Sequence, residues 1–222
     1  MITVQASLQE QLQDGLLSME MTPTQDQVTL LTQFLRLLEK WNRAFNLTAI
    51  RDPDDMVALH VLDSVSARPF LDGVSVLDAG TGAGLPGIPL AILEPERHFF
   101  LLDSGGKKVR FVRHAVGELA IENVTVVQAR VEDYEPTVLF DTVICRAFSS
   151  LGQFVRGCGR FVGPEGRLIA MKGRAPDDEL AGLPGGWEIA ELTSAIIPGL
   201  AVQRHMVVVR RIARGEPAEA LK

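Results

Sequence analysis

With 222 residues, 46% of them hydrophobic and 23% charged, the chain has an ordinary globular balance, enough for one sizeable core and an appendage. No apolar run nears the roughly 20 residues of a membrane span, and the opening MITVQASLQEQLQDGLL lacks the basic start and apolar stretch of a secretory signal, so the expected compartment is the cytoplasm. A net charge of −6 excludes a uniformly basic nucleic-acid binder, but not a local basic patch: residues 1–72 carry 5 Lys/Arg against 10 Asp/Glu, and the rest 17 against 18.

The first 72 residues read as helical. Leu8, Leu12, Leu16 and Leu17 have helical spacing. Thr22-Pro23 and Thr24 start a second helix, whose Val28, Leu31, Leu35, Leu38 and Trp41 recur every three or four residues. The segment NLTAIRDPDD breaks it, and Asp52-Pro53 caps a third helix over 54–68. From Val74 the rhythm changes. VSVLDAG reads as a strand, followed by a glycine loop and a helix over 86–93. HFFLLDS is a second strand, with a helix over 105–119 behind it. VTVVQAR is a third and FDTVICRA a fourth, the latter followed by a helix over about 150–162. GRLIAMKG is a fifth strand, and WEIAELTSAI and RHMVVVRRI close the series without a helix between them.

Near-continuous apolar strands alternating with helices predict an α/β fold. Its sheet is mostly parallel, seven-stranded and covered on both faces, with an antiparallel edge at the C-terminal end. The division expected is 1–72, a helical region packed on the core; 73–213, the catalytic domain; and 214–222, a frayed tail. Cys145 and Cys158 form no C-x-x-C and are too few for a disulfide framework; both are expected as reduced core thiols. No metal site is expected.

Chemistry concentrates in VSVLDAGTGAGLPGIPL, residues 74–90. In an open parallel sheet, ligands bind beyond the carboxyl ends of the strands, and glycines there let the backbone approach a cofactor. Gly82 to Gly87 is a formal G-x-G-x-x-G, which is weak evidence alone. Asp78 argues against a dinucleotide, because its carboxylate would repel a pyrophosphate on this loop. S-adenosylmethionine has no phosphate and carries a sulfonium and an ammonium, so an acid suits it. Asp78-x-Gly80-x-Gly82-x-Gly84 resembles the Rossmann-like class I methyltransferases. Asp103, ending the second strand, is placed to accept from ribose hydroxyls or to cap the helix after Gly105, and Arg130 to Asp133 stand where a third strand end can flank an adenine. The fourth strand ends in ICRAFSSL, without the Pro-Pro signature of amino-group methylases, and neither cysteine stands in a pyrimidine-C5 methylase motif.

Four segments narrow the resemblance: WNRAFNLTAIRDPDDMVALHVLDS (41–64), VLDAGTGAGLPGIPLAI (76–92), LLDSGGKKVRFVR (101–113), and VICRAF with AMKG (143–148, 170–173). Together they resemble the bacterial ribosomal small-subunit guanine-N7 methyltransferase family, RsmG or glucose-inhibited division protein B, over nearly the whole chain. Ala83 stands where many relatives have proline.

The resemblance implies methyl transfer from S-adenosylmethionine to N7 of a guanine in 16S ribosomal RNA, in a loop near the decoding site, by a monomer acting on the RNA or the small subunit. It implies cofactor contacts at Gly80, Leu85, Val131, Glu132 and Arg146, beside the general methyltransferase positions Asp78, Gly82 and Asp103. Arg146 and Lys172, at the ends of the fourth and fifth strands, are candidates to hold the guanine or its phosphates. Asn46 and Thr48 are loop residues within reach, or turn caps. His60 and Asp63, three apart, are a functional pair or a structural one. Lys107, Lys108, Arg110 and Arg113 are candidate phosphate contacts, or a solvated helix face over Val109 and Val112. A small-molecule or protein methyltransferase on the same fold, and an NAD-binding oxidoreductase or nucleotide-binding module, are the alternatives. The former predicts an apolar pocket in place of a basic rim; Asp78 and the lack of a hydride-partner signature argue against the latter.

Overall fold

The computed structural model describes residues 7–146, 148, 150–201 and 203–212; the tail expected from 214 lies outside them. Helix α1 (Leu8–Ser18) begins with a capping box, in which Ser7 and Glu10 satisfy each other's backbone N–H groups. Helix α2 (Gln25–Phe45) does the same with Thr24 and Gln27. Its Val28, Leu31, Phe34, Leu35 and Leu38 are buried, as the three-and-four spacing requires, and Asn46 ends it in the left-handed region at φ 51°. Asp52 caps α3 (Pro53–Met56), which runs through a π-helical segment (Val57–Leu62) into α4 (Asp63–Val65). The wider π turn had no signal in the sequence.

The sheet has seven strands in the order β3-β2-β1-β4-β5-β7-β6: β1 (Ser75–Ala79), β2 (His98–Asp103), β3 (Val124–Gln128), β4 (Phe140–Cys145), β5 (Val162–Lys172), β6 (Trp187–Ala195) and β7 (Arg204–Arg211). The first five are parallel; β7 inserts antiparallel between β5 and β6. Helices α5 (Gly87–Leu93), α6 (Gly106–Glu118) and α7 (Leu151–Cys158) follow β1, β2 and β4. Strands are apolar on both sides because each serves two cores. In β1, Val76 joins the core under α2, α5 and α6, while Leu77 and Ala79 join the one under α7. The N-terminal helices share that first core with the sheet, through Leu12, Leu31 and Phe34 alongside Phe99 and Ile144.

This is the expected α/β architecture with its antiparallel C-terminal edge. Strand β5 starts four residues before the expected Gly166, because Val162 already pairs with Phe140 ahead of a register shift before Thr142. The two cysteines are free and buried, and burial pushes the Cys158 thiol up to about 12. Order reverses at β1, whose neighbours are β2 on one side and β4 on the other, so the crevice at the carboxyl ends of β1 and β4 is where a ligand belongs.

Candidate functional site at the carboxyl edge of the sheet

The glycine loop sorts its glycines into two kinds. Gly80 and Gly82 have φ +77° and +61°; a Cβ on Gly80 would meet no atom within 4 Å, and one on Gly82 only the Gly80 carbonyl oxygen at 4.0 Å. A Cβ on Gly84 would lie 2.5 Å from Ile88, and one on Gly87 2.1 Å from Leu101. The first two leave room in front of the loop, and the second two let α5 close on the strands. Leu85 is buried, and its N–H donates to the Thr81 carbonyl at 2.9 Å. Carbonyl 102 accepts from the N–H groups of Gly80 (2.8 Å) and Thr81 (3.0 Å), which ties the loop to β2.

Asp78 lies beneath this loop, fully buried. Its Oδ2 accepts from Thr81 Oγ1 (2.6 Å) and from the Gly87 N–H (2.9 Å), joining both ends of the loop. Its Oδ1 is buried with no partner among the described residues. Burial pushes its carboxyl up to about 6, against the pull of those hydrogen bonds and of Arg146. An orphaned carboxylate oxygen and an open glycine cradle together fit a cofactor that carries positive charge and needs close backbone approach.

Across the crevice, a cavity of about 340 Å³ is lined by Thr48, His60, Asp63, Arg146, Lys172 and Arg204, among others. His60 and Asp63 do not pair with each other. His60 Nε2 meets Thr48 Oγ1 at 3.2 Å, while Nδ1 has no partner among the described residues. Asp63 holds two guanidinium groups, Arg204 Nε on Oδ1 at 2.9 Å and Arg146 Nη1 on Oδ2 at 3.4 Å. Arg146 also donates to the Leu59 carbonyl (3.1 Å), and burial draws it below the ordinary guanidinium value, with Asp63 and Asp78 opposing. Lys172 is bound by Glu179 at 2.8 Å, which also accepts from the Leu151 N–H at the start of α7. Asn46 stands outside the cavity: it is the exposed cap of α2, accepting from Arg51 at 3.2 Å. Buried Asn42 does the organising, accepting from the Thr48 N–H and donating to the Ile50 carbonyl, both at 2.9 Å. Arg204 and Glu179 carried no sequence signal, since they reach the site only through tertiary pairing.

Burial, then Arg146, pushes His60 down to about 4. The native state therefore binds the His60 proton less tightly than the unfolded chain, so stability from His60 is present above pH 6.5 and is lost as pH falls toward 4. Asp78 acts oppositely: its contribution is present below 3.8 and is lost as pH rises through 6. Each is worth about 3 kcal/mol, so the two nearly cancel between pH 4 and 6. Replacing His60 with Gln is expected to unmask Asp78, giving a stability that falls as pH rises over that window. Urea denaturation at half-unit pH steps checks it; a stability that still holds level or rises there would contradict it.

On the other side of the loop, Asp103 Oδ2 accepts from the Gly82 N–H (2.9 Å) and Oδ1 from the Gly105 N–H (2.7 Å), so it caps and braces at once. Val131 and Glu132 sit in the turn after β3, whose carbonyls at 131, 132 and 134 accept from Arg160 Nη2 at 2.8, 2.8 and 3.0 Å. Lys107, Lys108, Arg110 and Arg113 are exposed on α6 over buried Val109 and Val112, with no ion pair among the described residues. Among the described residues no group of three or more His, Cys, Asp or Glu could hold a metal, and no helix is long and apolar enough to cross a membrane.

A family model described as rRNA small subunit methyltransferase G (GidB) matches residues 27–207. Curated proteins named ribosomal RNA small subunit methyltransferase G are similar over almost their whole length. The one from Nitrosococcus oceani is 49% identical, covering 92% of this chain and 96% of its own. The one from Marinobacter nauticus is 46% identical, covering 92% and 95%. Among solved structures, TrmN from Thermus thermophilus aligns with a TM-score of 0.55 at 20% identity, over 77% of this chain and 53% of its own. The glycopeptide N-methyltransferase MtfA complexed with S-adenosyl-L-methionine aligns at 0.57 and 12%, over 68% and 94%, a likeness of fold.

Proposed function

The chain belongs to the rRNA small subunit methyltransferase G family, and from that premise we propose that it methylates N7 of one guanine in 16S ribosomal RNA, in a loop near the decoding site, using S-adenosylmethionine and no general base. The carrying observation is one of placement. Two glycines with open space before them end β1, and a cavity lined by three cations opens at the ends of the neighbouring β4 and β5.

The cofactor supplies an electrophilic methyl group on a sulfonium. Gly80, Gly82 and the Leu85 backbone give it a surface to lie on, with Asp78 as a buried negative charge below. Asp103 keeps lone pairs for ribose hydroxyls beyond its two N–H partners, and the Val131–Glu132 turn flanks the adenine. Guanine N7 has a lone pair and no proton, so its attack releases nothing for a base to accept. The chain's own task is to orient the ring, exclude water and tolerate a base that turns cationic. Arg146 faces both the loop and the cavity and serves cofactor and RNA. Lys172 and Arg204 hold phosphate or the guanine edge, while Asn46, from its exposed cap, reaches only the periphery. The exposed cations of α6 meet RNA phosphates.

Incubation with tritiated S-adenosylmethionine and either small ribosomal subunits or their naked RNA should place label in N7-methylguanine. Label in another base, or none with either substrate, would overturn the reading. Arg160→Lys tests the adenine side. A lysine cannot span three carbonyls, so the Kd for S-adenosylmethionine is expected to rise about tenfold, roughly the loss of one charge-assisted hydrogen bond. Calorimetric titration checks it, with RNA affinity unchanged.

A further inference from the structure

From the cofactor edge, α6 leads away along a surface unlike the rest of this acidic chain. Residues 36–45 of α2 and 106–118 of α6 carry seven Lys/Arg and two Asp/Glu. The two helices pack together through aromatic rings. Trp41 lies 5.1 Å from His114, 5.7 Å from Phe111 and 5.1 Å from Phe45, centroid to centroid. Phe111 is buried and Trp41 half-buried, but Phe45 is 37% exposed and His114 is exposed. Lys107, Arg110 and His114 fall at i, i+3 and i+7 of α6, so both cations flank the side of the helix that meets Trp41. Beyond them, Arg36 and Lys40 line a cavity of about 330 Å³ between the helices.

Arg43 is paired with Glu39, and Glu118 shares the cavity of Arg36 and Lys40, but Lys107 and Arg110 have no ion pair among the described residues. Exposed rings beside such cations suit an unpaired nucleotide: the ring takes the base face, and the cations take the phosphates on either side. A core-packing role accounts for Phe111 and Trp41. It does not account for Phe45 and His114, which extend the stack into solvent.

We propose that Phe45 and His114, backed by Trp41, form a stacking platform for an unpaired nucleotide of the RNA substrate, outside the methyl-transfer cavity and reached along α6. The proposal rests on the RNA-methyltransferase reading above. It assigns a task to the helical extension: fixing the path of the RNA strand that leads to the target base.

The test separates stacking from phosphate binding and from folding. Phe45→Leu keeps apolar bulk and loses the π face; Phe45→Tyr keeps both. Binding to naked small-subunit RNA, followed across a salt series, should weaken about tenfold for Phe45→Leu with the salt slope unchanged, and stay near the original for Phe45→Tyr. Arg110→Gln should instead shallow the slope of log K against log salt by about one. S-adenosylmethionine affinity should hold in all three, which controls for folding. Equal RNA affinity for Phe45→Leu and the unaltered enzyme would overturn the platform alone. A loss seen only with intact subunits would assign the rings to a protein contact and also overturn it. No binding by the unaltered enzyme to naked RNA or to small subunits would overturn the functional reading with it.

Discussion

Gly80→Asp is expected to abolish measurable S-adenosylmethionine binding while the protein remains folded. The space in front of Gly80 is open, so a Cβ there meets no described atom within 4 Å. Its φ of +77° strains any L residue, at about 1–2 kcal/mol, which a domain of ordinary stability survives. The side chain would instead stand where the cofactor backbone approach is proposed. Steric exclusion of that kind raises Kd by more than a hundredfold. Gly87→Val supplies the contrast, since its Cβ would lie 2.1 Å from Leu101 and 2.8 Å from Asp78 Oδ2. That variant should lose several kcal/mol of stability through overpacking and a broken loop tie. Calorimetry for Gly80→Asp and thermal unfolding for Gly87→Val read the two effects separately. Normal cofactor affinity in Gly80→Asp would show that the loop's open face is not the binding face.

The same pair of glycines marks how far the sequence could be read. Spacing alone made the loop a glycine-rich turn after a strand, but it could not say which glycines face open space and which face neighbouring side chains. That depends on Ile88 and Leu101, whose side chains reach the loop from the helix and the neighbouring strand. Asp78 was legible as significant, but its place beneath the loop was not. Its chemistry pointed to a cationic ligand, whereas its hydrogen bonds run to Thr81 and Gly87, three and nine residues on. The mostly parallel sheet and its antiparallel edge followed from apolar runs and the missing last helix, because those features report burial directly, whereas the strand order, with β7 between β5 and β6, did not. The cavity did not follow, because its charges are arranged across the chain: Asp63 and Arg204 are 141 positions apart. His60 and Asp63 looked like partners from their spacing, but the π-helical segment and the strand ends give each a different neighbour.

That divergence makes Asp63 the next largest expected effect. Its carboxylate is 8% exposed and stands between Arg146, 26% exposed, and Arg204, 16% exposed. Asp63→Asn would keep the shape and delete the charge, leaving two half-buried guanidinium groups facing each other through one neutral amide. Breaking a buried pair by removing one partner typically costs 3–5 kcal/mol; partial exposure of the arginines lowers this to about 2–4. In a chain of this length that is a fall in Tm of roughly 5–12 °C. Arg204→Met in the same background should restore part of the loss, since it removes one of the unpaired cations, and a double-mutant cycle should show coupling above 1 kcal/mol. Methyl transfer should fall in Asp63→Asn even where the protein is folded, because Asp63 sets the positions of both arginines at the cavity wall. A Tm drop under 2 °C would mean that water already screens the three charges, and the cavity would then have to be organised from Asn42 and Glu179 instead.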